Sequence, residues 1–205
     1  MRTRLGSIVG SVGIVATGLA LVIAVGQPAM ADQEPPVDQA RLVQQALLTA
    51  PAARLSSGFT GRLFDDDLAG RTCYAAATTW TCDAWFTTSQ YTQPYPNGVS
   101  ITVSPDAAAA TRELARLAAL EPDADRPGSR VLRTNAGTLI VLTTGFAVGS
   151  DLRPAVTVSV TTVQGRYLVM GTCQVQRQHL NLRKLRSCAT KLHSAQAANA
   201  RTLSL

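Results

Sequence analysis

Four cysteines are the residues of this 205-residue chain whose type and spacing point most directly to chemistry. Cys73 lies close in sequence to Cys82, and Cys173 lies close to Cys188. Neither spacing is usual for zinc ligands, whereas an even number of cysteines in an exported protein is typical of disulfides. Four cysteines allow three pairings, and the short loops favour Cys73–Cys82 and Cys173–Cys188. We therefore predict two structural disulfides and no metal site.

Histidines and acids offer little catalytic machinery. His179 and His193 are the only two histidines, and on one helix they would lie about 21 Å apart, too far to share a metal ion. The sequence lacks the motifs of serine hydrolases, zinc peptidases and phosphate-binding loops. The acids at 65–67 do not alternate as in a calcium loop and indicate a solvated acidic loop. We predict a non-catalytic protein without a cofactor; a glycoside hydrolase in which Asp83 or Asp106 meets another acid stays open.

Eight of the ten aromatic residues fall between Phe59 and Tyr95. Aromatic side chains with an apolar body and a polar tip suit stacking on a sugar or contact with a protein. Tyr91 and Tyr95 stand in a proline- and glycine-rich segment typical of an exposed loop. With Trp85 they form a candidate binding loop, although the aromatic residues of 80–86 could instead fill the core.

The amino terminus has the three parts of an export signal. Arg2 and Arg4 follow the initial methionine, residues 5–26 carry no charge, and Asp32 follows the small-x-small sequence that ends at Ala31. We predict that residues 1–31 form a signal peptide cleaved between Ala31 and Asp32, which makes the protein secreted. The alternative is an uncleaved membrane anchor with the domain outside, because about 20 apolar residues span a bilayer.

Charge is distributed unevenly along the exported part. Residues 32–151 hold thirteen acids and nine bases, whereas residues 152–205 hold eight bases and no acid. Such a basic end could face an anionic envelope polymer, a lipid headgroup or an acidic partner, but it is too sparse for nucleic acid. The alternative is that it faces the acids of 65–67 within the fold. The predicted basic face lies on the last helix and comprises Arg183, Lys184 and Lys191.

Periodicity predicts one α+β domain over residues 32–205, an antiparallel sheet packed by two to three helices. A helix over 38–48 should end before Pro51, and one beginning at Ser104 should end before Pro122. An exposed linker should follow at 121–130. A third helix is predicted over 181–200. Strands are predicted at 72–88 (a hairpin), 99–103, 131–134, 138–146, 155–163 and 166–173.

The hairpin formed by the last two strands has a predicted register. A two-residue turn at Gln164-Gly165 would pair Val160 with Val169 and Val156 with Cys173, all on the buried face. Cys173 would then start inside the core, in a position to tether the helix that follows.

The carboxyl-terminal part resembles the extracytoplasmic sensor domains of some actinobacterial serine/threonine kinases and related small secreted or lipid-anchored proteins. The resemblance rests on Cys173-Gln174, on Cys188, and on the alanine- and glutamine-rich helical stretch that ends the chain. It implies an α+β fold with a cleft and two disulfides.

Together these features predict a non-catalytic, extracytoplasmic binding or sensor-like domain whose partner is an envelope ligand or protein. We expect a membrane contact only if the signal stays uncleaved. Two alternatives remain, a hydrolase or accessory protein acting on the cell wall, and a secreted protease inhibitor that presents residues 89–98.

Overall fold

The computed structural model describes residues 36–57, 63–65, 71–76, 78–88, 97–119, 129–135, 137–146 and 154–203. Within these ranges four α-helices and a 3-10 turn accompany an eight-stranded antiparallel sheet, so the predicted α+β class is confirmed. The helices are α1 (Val37–Ala46), α2 (Ala50–Ser57), α3 (Ala107–Ala119) and α4 (Leu182–Ala200), with the 3-10 turn at Arg177–His179. The strands are β1 (Leu63–Asp65), β2 (Arg71–Ala76), β3 (Thr79–Thr88), β4 (Asn97–Val103), β5 (Ser129–Asn135), β6 (Thr138–Phe146), β7 (Pro154–Gln164) and β8 (Tyr167–Gln176).

Strand order places the last strand of the chain at the centre of the sheet. The order is β1-β3-β4-β8-β7-β6-β5, and β2 also pairs with β3. The last strand, β8, therefore lies between β4 and β7, and α4 leaves from the middle of the molecule.

The register of β7 with β8 differs from the prediction by two residues. Gln164 pairs with Tyr167, so the turn is formed by Gly165 and Arg166, and Gly165 has a φ of +58°. Val160 consequently faces Gly171 rather than Val169. A shift of two residues preserves the alternation of side chains, and the valines of β7 remain on the buried face as predicted.

Helices α1, α2 and α4 share the main core with one face of the sheet. Val156, Val158 and Val160 of β7 pack with a stripe of α4 that includes Leu185 and Leu192, and all five are at most 6% exposed. The stripe recurs every three or four residues, which is the spacing that keeps side chains on one helix face.

Helix α2 corrects the prediction that Pro51 ends a helix. The first helix ends at Ala46, and a second begins at Ala50 with Pro51 in its first turn. Proline is tolerated there because the first amides of a helix have no carbonyl partner within the helix. The described part of the fold consequently has four α-helices, one more than the upper end of the predicted two to three.

Helix α3 packs on the opposite face of the sheet, where Ala110 and Leu114 contact Leu139 and Leu168. It lies where the sequence predicts a helix, but its amino terminus is capped differently. Asp106 accepts a hydrogen bond from the Ala109 amide at 2.6 Å, so Asp106 rather than Ser104 satisfies the first turn.

Several predictions fall partly or wholly outside the described residues. The signal peptide over 1–31 with its cleavage site between Ala31 and Asp32 lies outside them, as does the linker between 121 and 128. Asp65, predicted to lie in an acidic loop, instead belongs to β1 and pairs with Phe86, whereas Asp66 and Asp67 lie outside the described residues. Among the described helices, none is long and apolar enough to cross a membrane.

Candidate ligand-binding groove

A groove of about 790 Å³ lies where β8 leads through the 3-10 turn into α4. Its walls are formed by the ends of α2, β4, β8 and α4, which meet there. Its described lining consists of Ser57, Asn97, Cys173, Gln174, Val175, His179, Asn181, Arg183, Lys184, Leu185, Ser187, Cys188 and Lys191.

The second disulfide joins two walls of this groove. Cys173 at the end of β8 is bonded to Cys188 in α4, with Cα atoms 6.1 Å apart, as predicted from sequence proximity. The first disulfide is also confirmed, since Cys73 and Cys82 face each other directly across β2 and β3. Because Cys173 is fully buried, the bond fixes the first half of α4 against the sheet.

Positive charge dominates the groove. The predicted basic face residues Arg183, Lys184 and Lys191 all line it, and all three side chains are exposed. No aspartate or glutamate occurs in its described lining, and within the described part of the chain none of the three cations forms an ion pair. Like charges around one concave surface raise the local potential for anions. The alternative, in which these cations pair with the acids of 65–67, lies outside the described side chains.

The amino terminus of α4 adds to this potential. Asn181 is the cap of the helix, and its side-chain oxygen accepts a hydrogen bond from the Lys184 amide at 3.0 Å. Partial positive charge accumulates at a helix amino terminus because the peptide dipoles align. This end of the helix opens into the groove, so dipole and side chains have the same sign.

Uncharged polar groups complete the lining. Asn97, the first residue of β4, is 3% exposed, and its side-chain oxygen accepts a hydrogen bond from the Gln174 amide at 3.2 Å. Hydroxyl groups come from Ser57 and Ser187. Such groups can orient a ligand that the cations attract. Sequence reasoning missed Asn97 and Ser57, and no local pattern marks either residue.

Of the predicted aromatic binding loop, Trp85 is not brought into the groove. Trp85 lies on the face of the sheet opposite α4, where its ring packs against Gly98; a Cβ at Gly98 would lie 2.6 Å from Cε3 of that ring. Tyr91 and Tyr95 lie outside the described residues. Trp80 packs against the core and Phe86 is fully buried within it, so these two aromatic side chains fill the core.

A second polar cluster surrounds Asp83 beside Trp85. The Thr72 hydroxyl donates a hydrogen bond to the Asp83 carboxylate at 2.8 Å, and Tyr74 and Trp85 also bond to it. Burial raises the pKa of Asp83, while the three donors act in the opposite direction. The pKa of Tyr74 is raised to about 12, mainly by burial and to a smaller extent by the negative charge of Asp83. The carboxylate therefore has its partners within the sheet, on the side away from the groove.

The two histidines have separate environments. His179 lines the groove, whereas His193 lies on the buried side of α4 with its Nε2 atom 2.9 Å from the Thr162 hydroxyl. Burial lowers the pKa of His193, which favours a neutral imidazole.

No family model, curated protein or solved structure matches this chain. Among the described residues there is no group of three or more histidine, cysteine or acidic side chains arranged to hold a metal ion.

Proposed function

We propose that this chain is a disulfide-stabilised extracytoplasmic binding domain of the sensor type, and that it binds an anionic ligand in the basic groove. The observation that carries the proposal is the set of three exposed cations, Arg183, Lys184 and Lys191, around one cavity whose described lining has no carboxylate. Since these cations have no anionic partner in the described part of the chain, a ligand can supply one.

The spacing of the cations indicates what kind of anion fits. Lys191 is seven residues beyond Lys184 on α4, which corresponds to about 10 Å along the helix. A ligand that carries several anionic groups can pair with the cations at both ends of that span at once. The volume of the groove lies within the range of about 300 to 1,000 Å³ that is usual for small-ligand sites. We therefore expect a ligand that carries several anionic groups, such as phosphates.

The two disulfides support a role outside the cytoplasm. Such bonds persist in oxidising compartments and are rare in the reducing cytosol. The predicted signal peptide and the resemblance to extracytoplasmic sensor domains favour the same compartment. The ligand would then be a component of the cell envelope or a molecule that reaches it.

The two alternative functions receive less support. A glycoside hydrolase needs two carboxylates about 5 to 10 Å apart, and the described lining of the groove supplies none. Asp83 accepts hydrogen bonds from its own sheet on the opposite side. An inhibitor loop at 89–98 falls largely outside the described residues, and Asn97 and Gly98 at its end are buried in β4.

The test is calorimetric titration of the exported protein with inorganic tripolyphosphate, a soluble probe with several anionic groups. Lys184→Gln combined with Lys191→Gln should weaken binding about tenfold, and added salt should weaken binding by the wild type. Arg112→Gln is the matched control, because Arg112 is an exposed cation on α3 at the other face of the sheet.

Equal affinity in the double variant and the wild type would contradict the proposal. So would binding of a neutral oligosaccharide of similar size with the same affinity and no dependence on salt. If the cations are needed for binding, a crosslinking pull-down from the native envelope, repeated at rising salt, identifies the natural ligand.

A further inference from the structure

Two exposed leucines stand next to the groove among basic residues. Leu180 is 42% exposed and Leu182 is 41% exposed, and neither lines the groove. Asn181 between them has an extended backbone, with φ of −121° and ψ of 98°. Asn181 lines the groove, and the two leucines flank it in sequence. Together they expose a small apolar area next to a residue that lines the groove.

The segment 177–186 that carries these leucines is strongly basic. It contains four cations and no acid, and all four cations are exposed. In the described part of the chain, other large apolar side chains are exposed on α1, α2 and β2. None of these lies in a segment with as many cations. Exposed single leucines are ordinary on protein surfaces, whereas apolar side chains among several cations suit contact with an anionic lipid interface. The cations are Arg177, Arg183, Lys184 and Arg186.

From this surface we infer that segment 177–186 docks the domain on an anionic lipid bilayer. Leu180 and Leu182 insert into the headgroup region while the four cations contact anionic headgroups. Charge complementarity selects the bilayer over an apolar protein surface, because burying four unpaired cations against apolar side chains would be costly. Docking goes beyond the proposed function, because Leu180, Leu182, Arg177 and Arg186 do not line the groove, whereas Arg183 and Lys184 belong to both surfaces. It also turns the groove mouth towards the membrane.

The test measures partition of the exported protein onto lipid vesicles by sedimentation. Vesicles of phosphatidylcholine and phosphatidylglycerol in a ratio of about 3:1 are compared with phosphatidylcholine alone. The amino terminus of every variant is checked by sequencing. Because it is the same in all variants, any effect of residues 1–31 on partition is equal in each and cancels in the comparison. The wild type should bind the anionic vesicles more tightly than the neutral ones, and salt should weaken this binding.

Two substitutions separate this inference from general stickiness. Leu180→Ser combined with Leu182→Ser should reduce partition onto anionic vesicles at least about tenfold. Leu42→Ser in α1 is the matched control, since Leu42 is 46% exposed, and it should leave partition unchanged. Arg186→Gln should cost about fivefold, the equivalent of about 1 kcal/mol for one charge near an anionic surface.

The outcomes distinguish docking from ligand binding. Docking is overturned if the double leucine variant partitions like the wild type, if neutral and anionic vesicles bind equally, or if neither binds. Titration of the same leucine variant with tripolyphosphate should give the wild-type affinity, because neither leucine lines the groove. Loss of tripolyphosphate binding in that variant would contradict the separation of the two surfaces.

Discussion

Gln196 in α4 accepts a hydrogen bond from the backbone amide of Leu48, although 148 residues separate the two. The distance is 2.9 Å, and the Nε2 atom of the same side chain donates to the carbonyl of Ala46 at 2.9 Å. Gln196 is fully buried, and it satisfies both backbone groups at the break between α1 and α2. One amide side chain therefore holds the last helix to the first two.

Replacing Gln196 with leucine should lower the free energy of unfolding by about 2 to 4 kcal/mol. Leucine retains most of the volume, but it leaves the Leu48 amide and the Ala46 carbonyl buried without partners. The measurement is urea denaturation followed by circular dichroism. Ser194→Ala, at an exposed position of the same helix, should change the value by less than about 0.5 kcal/mol. Equal midpoints for Gln196→Leu and wild type would contradict this account.

Removing either disulfide should cost about 3 kcal/mol of stability, because the closed loops are short and similar in length, with sequence separations of 9 and 15. The two disulfides should differ in their effect on ligand binding. Cys173→Ser with Cys188→Ser should weaken tripolyphosphate binding, since that bond joins two walls of the groove. Cys73→Ser with Cys82→Ser should leave the affinity unchanged below the unfolding transition. The same loss of affinity in both pairs would show that the groove depends only on overall stability.

His193 should make stability depend on pH in the acid range. Its folded pKa lies below its ordinary value of 6.5 because the ring is buried, so the unfolded chain binds the proton more readily. Stability is then complete above the unfolded pKa and falls as pH drops below about 6.5. His193→Gln should flatten this fall in urea titrations across that range, whereas His179→Gln, at an exposed position, should retain it. An unchanged slope in His193→Gln would refute the assignment.

Gly171→Ala should destabilise the protein by at least about 2 kcal/mol. A Cβ at Gly171 would overlap the backbone nitrogen of His193, so α4 would have to move away from β8. Gly165→Ala is the contrasting control, because no atom lies within 4 Å and only its φ of +58° opposes a side chain. That variant should lose about 1 kcal/mol. Denaturation midpoints in the reverse order would contradict the close approach of α4 to β8.

Local patterns were enough to predict much of the fold. Alternation of valines located β7, the β6 bounds were predicted as 138–146, and the predicted start of the last helix at Asn181 is its cap. Both disulfides followed from sequence proximity, because each closes a short loop. These features depend on neighbours within a few residues, so the sequence alone carries their signal.

Other features depended on contacts between distant parts of the chain. Pro51 suggested the end of a helix and concealed α2, whose position depends on packing against α4. Asp83 gave no sign that three donors from β2 and β3 surround it. A fully buried glutamine at 196 could not be anticipated either, because its partners lie 148 and 150 residues away.

The sequence by itself determined the fold class, the cysteine pairing and the positions of the cations on the last helix. Only the tertiary structure decided that these cations surround a groove. Ser57 and Asn97 reach the groove because β8 inserts between β4 and β7 and thereby brings α4 beside α2. Sequence periodicity shows which face of an element is buried, but the order of strands in a sheet depends on long-range pairing free energies that no local pattern contains.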